Sequence, residues 1–430
     1  MFNKRWIVGV LCAIAVLALT ACTTTKKTTD NPAGATTTPT ESEVTIRYGW
    51  FGNPAQEETA KGMVDAFMKL NPKIKVEFEN IPNQGYWEKL MTAVNSKTAP
   101  DVLRLTSYWG YLLGAEGAAL DLKPLMPAGY LDDFDPALLT YAAPKGRVYG
   151  IPQSNNVQVI VYNKDIFAKA GVTAPTTPET AWTWDEMMNV CKKLQATGGA
   201  KYCYGIYNGA PQGRLINLYQ TGGSIVDIQK KTSNLTSPQS LQALEIIKAL
   251  YDGKYIAPNS WTTDYNLQKE FTAGTVAMFH GGNFSLAPLE AAMPGKYGVT
   301  FIPRNPKTVS MVGGEVYSIT KDSKHPKEAW KLVEFMSNAE NMTKWSQATV
   351  AIPPRKSLMG KVDYGIYTPH MSLIAVAAQY GSTLILDEFQ VPGWSKVDTM
   401  LRERTVQLFT MPAKQWAEQV SVDINKATQP

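Results

Sequence analysis

The sequence predicts an α/β protein with two hydrophobic cores, an expectation that rests on three observations. Segments in which apolar and polar residues alternate are followed by segments with apolar residues at helical spacing, and that succession of strand and helix belongs to βαβ units with a parallel sheet. The chain has 430 residues, whereas a single core stops growing at roughly 250–300 residues. Its composition, 44% hydrophobic and 18% charged, is that of a globular protein.

The N-terminus comes first. Lys4 and Arg5 precede the apolar run WIVGVLCAIAVLAL, the charged and apolar regions of a secretion signal. The run is shorter than the roughly 20 residues of a spanning helix, so residues 1–21 are expected to be removed. Leu19, Thr20, Ala21 and Cys22 resemble the lipobox of bacterial lipoproteins, which implies cleavage before Cys22 and a diacylglycerol on its thiol. Cleavage removes Lys4 and Arg5 and no acid, so 42 basic and 37 acidic residues become 40 and 37, a net charge of +3. Residues 22–43 are mostly Thr, Ser, Pro, Gly, Ala and charge without apolar periodicity, a disordered tether with an end-to-end distance of roughly 25 Å.

In the body, Val44, Ile46 and Tyr48 alternate as in a strand, and TAKGMVDAFMKL places Ala60, Met63, Val64 and Phe67 on one helical face before Asn71-Pro72 stops it. IKVEFEN alternates again, YWEKLMTAV puts Trp87, Leu90, Met91 and Val94 at helical spacing, and PDVLRL is a further strand. Later, Thr183 and Glu186 form a capping box ahead of a helix. Ser237-Pro238 and Pro326 mark two more helix starts, the second after the strand-like GEVYSIT.

Chemistry is mostly excluded. The sequence lacks the phosphate-loop, dinucleotide, nucleophile-elbow and HExxH motifs. Its three histidines are scattered, whereas a zinc site needs converging ligands, so neither metal nor cofactor is expected. No like-charge block suits nucleic acid. With Cys12 lost and Cys22 lipidated, Cys191 and Cys203 remain; an even pair in an exported chain suggests a disulfide, the alternative being two free buried thiols. Aromatic residues stand beside glycine and polar residues in YGWFGN, TSYWGYL, NSWTTDY, FHGGNFS and VPGWSK. A pyranose needs flat rings for its C–H face and polar groups for its hydroxyls, since an unpaired buried hydroxyl costs roughly 1–3 kcal/mol. Any one of these aromatics serves equally well as core; the set favours binding.

In its longer motifs the chain resembles the extracellular solute-binding proteins of ABC transporters, in the sugar-binding family 1 that includes maltose-binding protein. The resemblance rests on RVYGIPQSNNVQVIVYNKDIFAKAGV at 147–172, MVGGEVYSITKDSKHPKEAWKLVEFM at 311–336, KEFTAGTVAMFHGGNFS at 269–285, PDV at 100–102 and AIPPRKSL at 351–358. It implies a two-lobed periplasmic-binding-protein fold of class II type, with interleaved lobes at 44–155 plus 314–347 and at 156–312 plus 348–430, joined by hinge crossings. Position by position it implies ligand contacts at Trp50, Asn53, Tyr108, Trp109, Asn156, Asn283, Phe284, Gly314 and Glu315, with Gly313 permitting close backbone approach. Trp261, Trp394 and Arg355 are further candidates, and Arg355 serves equally well in a hinge-region salt bridge. The implied partners are a carbohydrate, ABC permease subunits and, through Cys22, the membrane; the implied working unit is a monomer without enzymatic activity. Two rival readings remain, a lipid-anchored glycoside hydrolase and the same fold holding a polyol phosphate, polyamine or amino acid.

Overall fold

The computed structural model describes residues 43–81, 85–206, 215–260, 265–305, 309–382 and 384–429. The expected signal segment, Cys22, nearly all of the tether and Trp261 lie outside the described residues.

Two mixed sheets organise the body. The first runs β2 (Ile74–Asn80), β1 (Val44–Trp50), β3 (Val102–Thr106), β12 (Glu315–Ile319), β4 (Ile151–Pro152). β1 pairs in parallel with β2 and with β3, as the alternating segments predict. β12 is antiparallel to both its neighbours, so the expected parallel sheet is mixed. This strand enters the sheet from the other lobe, so it runs opposite to strands that enter through βαβ connections. The second sheet runs β13 (Gly381–Ser382), β11 (Ser310–Gly313), β5 (Asn156–Asn163), β9 (Val276–Gly282), β6 (Tyr202–Gly205), with β10 (Tyr297–Thr300) also on β5. β5 is the strand arriving from the first lobe, and it is antiparallel to β9, β10 and β11.

Local chemistry sets the helix bounds. α1 (Pro54–Leu70) starts ahead of the predicted Thr59 because Asn53 and Gln56 form a capping box and Pro54 suits the first turn; its buried face is Ala60, Met63, Val64 and Phe67, as the spacing predicts. α2 (Tyr86–Asn95) buries Tyr86 and Leu90. α3 (Ser107–Ala115) is capped by the Thr106 side chain, and α4 (Pro136–Ala142) by Asp135. Thr183 and Glu186 cap the helix Trp184–Lys193, and Ser237 caps Pro238–Asp252. Cys191 of the former helix is disulfide-bonded to Cys203 of β6.

The first core joins Ile46, Tyr48 and Trp50 of β1 to the buried face of α1 and to Ala329, Leu332, Val333 and Trp345 of the helices Pro326–Met336 and Ala339–Thr349. The second lobe packs around both faces of β5, Val157, Val159 and Val161 on one side and Ile160 on the other. One cluster crosses between lobes: Tyr111 and Leu112 of α3 and Tyr141 of α4 are continuous with Phe389 and Trp394. Among the described residues no helix is long and apolar enough to cross a membrane.

Candidate ligand-binding site at the lobe junction

The lobes meet where three short segments pass between the sheets, at residues 153–156, 313–315 and 350–352. Each segment is tied to another. The Asn155 N–H donates to the Ile352 carbonyl at 2.8 Å. At the second passage, the Ser107 N–H donates to the Gly314 carbonyl at 2.7 Å, and the Ser107 hydroxyl accepts from the Gly314 N–H at 3.1 Å. Gly314 lies so close to the first segment that a Cβ on it would stand 1.9 Å from the Ser154 carbonyl oxygen. Its glycine is therefore a steric requirement of the passage.

Side chains complete the junction. The Asn156 amide donates to Glu315 Oε1 at 3.2 Å, and the Ser154 hydroxyl donates to Oε2. Asn283, buried, donates to the Asn156 side-chain carbonyl at 3.3 Å and to the Val350 carbonyl at 3.1 Å, and accepts from the Val157 N–H at 2.9 Å. Asn283 thus ties the passages together.

An aromatic group is built from α2, α3 and the residue after β1. Trp109 is half-buried and stacks on Tyr86 with ring centroids 5.3 Å apart and planes 8° apart; Trp87, half-buried on the other side, is 6.2 Å away and nearly parallel. Phe51 meets both Tyr86 and Trp109 edge-on or tilted. Tyr108 faces the other lobe, its ring 4.7 Å from Phe389. Burial, and after it the negative charge of Asp398, push its phenol well above the usual range. Phe284, half-buried, lies just beyond Asn283.

The other expected contacts have these surroundings. Trp50 is wholly enclosed in the first core, its ring 5.5 Å from Phe78 and folded beneath Gly52. The Asn53 side-chain Oδ1 caps α1 by accepting from the Gln56 N–H at 3.0 Å. Arg355 donates to the Ser337 carbonyl at 2.9 Å and to Asp133 at 3.2 Å, above the Phe134 ring, the arrangement of a salt bridge. Trp394 is 2% exposed and packs on Phe389. Three residues of the junction escaped sequence reasoning: Trp87, Phe389 and Arg104. Arg104 left a signal, a lone charge within the apolar strand VLRL.

Residues 62–364 match the model of the bacterial extracellular solute-binding proteins. The chain belongs to this family. This solute-binding protein is 27% identical over 406 residues to a binding protein of Brucella abortus, the match covering 92% of each chain. It is 25% identical over 375 residues to the multiple sugar-binding protein of Streptococcus mutans, covering 80% of each. Its fold matches that of an ABC substrate-binding protein of Listeria monocytogenes, solved in complex with cycloalternan, with a TM-score of 0.80 at 22% identity over 90% of this chain and 99% of the other. The two-lobed, interleaved periplasmic-binding fold follows from that likeness and from β12 standing between β3 and β4.

Proposed function

We propose that this solute-binding protein captures a sugar or oligosaccharide between its lobes and delivers it to the permease of an ABC importer, without chemical conversion. The observation that carries this reading is that the partly exposed aromatics Trp87, Tyr108 and Trp109 belong to the same body as the polar pair of Asn156 and Glu315, Ser107 of the same helix as Tyr108 and Trp109 being bonded to Gly314 next to Glu315. Rings of this kind stack on pyranose faces, and the polar pair receives hydroxyls that would otherwise be buried unpaired. The relatives named for sugars support the same substrate class.

The lobes divide at the passages, 44–155 with 314–347 against 156–312 with 348–430, and we assign residues 1–21 to a signal peptide with lipid on Cys22. A sugar touching both lobes binds the closed form more tightly than the open one and so shifts the population toward closure. The tether then keeps the closed complex near its permease, with the protein acting as a monomer. A phosphorylated or acidic solute is disfavoured because the arginines nearest the passages, Arg104 and Arg355, are engaged by Glu315 and Asp133.

The test is thermal unfolding of the chain from residue 41 onward against mono- and oligosaccharides, polyols, polyamines and amino acids, each mixture then examined for breakdown. A ligand at a hundred times its dissociation constant stabilises by about 2.7 kcal/mol, a rise of a few degrees. A rise with intact sugar supports the proposal. A rise with cleaved sugar establishes a glycoside hydrolase instead, and a rise only with another class reassigns the solute.

A further inference from the structure

Arg104 sits on β3 with its side chain 1% exposed. A buried guanidinium is costly unless its donors are used; here Nε and Nη1 are hydrogen-bonded, while Nη2 has no hydrogen-bond partner and only an ion-pair neighbour. Nη1 donates to the Phe51 carbonyl at 2.6 Å, Nε donates to Gln153 Oε1 at 2.8 Å, and Nη2 lies 3.4 Å from Glu315 Oε1, an ion-pair distance without hydrogen-bond alignment. Three rings enclose the cation, Phe51 at 4.7 Å, Trp345 at 5.5 Å and Trp50 at 5.6 Å. The arginine therefore reads the loop after β1, the first passage and the second passage at once. Glu315, 13% exposed, is the member that reaches the junction surface, where it receives the amide of Asn156 from the other lobe.

We propose that Arg104 is a positioning residue for the cleft: it fixes the Glu315 carboxylate against Asn156 and cancels its charge, so that the lobes close on a neutral floor that accepts polyhydroxyl solutes and rejects cationic amines. The selectivity half rests on the reading of the cleft as a sugar site; the positioning half does not. Removing the arginine leaves a carboxylate in a poorly solvated place, which favours a bound cation in its stead.

The experiment has a ligand-free arm and a binding arm. In the first, Arg104→Met, Glu315→Gln and the double variant are unfolded by heat. Each single change leaves its partner's charge unmatched, so each is expected to lower Tm by several degrees, while the double variant regains much of that loss. Additive losses overturn the proposal. If Arg104→Met does not fold, a double variant more stable than Glu315→Gln supports the idea and one less stable sinks it. In the binding arm, maltotriose and spermidine are the probes. Arg104→Met is expected to weaken maltotriose at least tenfold and to gain spermidine binding, which the double variant then loses; Arg104→Met with unchanged preference overturns the selectivity claim. A wild-type protein that ignores maltotriose and every other sugar of the panel tells against the sugar reading alone, because the ligand-free cycle still decides the role of Arg104.

Discussion

At Gly314 a single hydrogen atom is all the space allows. Because the obstacle is the backbone carbonyl of Ser154, no rotamer change relieves the overlap, and Gly314→Ala must push the first two passages apart. A loss of about 3 kcal/mol is expected, measured by urea unfolding, together with a scattering profile changed from that of the wild type. The two tryptophans offer a contrast. Trp109→Ala removes a half-exposed ring and is expected to weaken sugar binding about tenfold, with ligand affinity by calorimetry as the measurement, or about 1.4 kcal/mol. Trp50→Ala removes a fully enclosed ring, and its expected effect is on stability, about 3–5 kcal/mol. The sequence held the means to separate them. Continuing the alternation of Val44, Ile46 and Tyr48 by one step places Trp50 on the same inward face, whereas Trp109 lies on a helix behind a Thr106 cap.

At the scale of single elements, capping pairs and periodicity were readable because their partners are neighbours in sequence: Thr183 with Glu186, Ser237 with Pro238, the apolar face of α1. The direction of β5 and β12 was not, because it depends on partners more than a hundred residues away; Val157 opposes Val312, and Val316 opposes Leu105. The same distance hid the roles of Asn283 and Arg104. Two elements carry predictions. The disulfide between the helix Trp184–Lys193 and β6 closes a short loop, and replacing both cysteines by serine is expected to lower stability by about 3 kcal/mol, read from urea midpoints. In the helix Leu384–Phe389, Glu388 is fully buried; its Oε1 accepts the N–H groups of Ile225 at 2.6 Å and Val226 at 3.0 Å, and its Oε2 accepts from Tyr219 at 2.8 Å. Burial outweighs these donors and pushes its carboxyl up to about 7. The folded state therefore holds the proton more tightly than the unfolded one, where the ordinary value is about 4.3. This group's contribution is full below that ordinary value and is lost as pH rises through about 7. Stability is expected to fall by about 3 kcal/mol between pH 4.5 and 8 on its account, and Glu388→Gln should flatten the decline in a pH series of denaturant midpoints.

For the whole molecule, the first lobe is finished only by a strand from late in the chain. β1, β2 and β3 emerge early, but β4 has no place beside β3 until β12 stands between them, and the helix Ala339–Thr349 that covers α1 comes later still. A nascent chain leaving a ribosome or threading a narrow export channel therefore cannot complete its first half in isolation. The second lobe waits longer still, because Phe389, Trp394, Trp416 and Ile424 belong to its core. Chain order, through this one inserted strand, makes completion of the first sheet wait on a segment that follows most strands of the second.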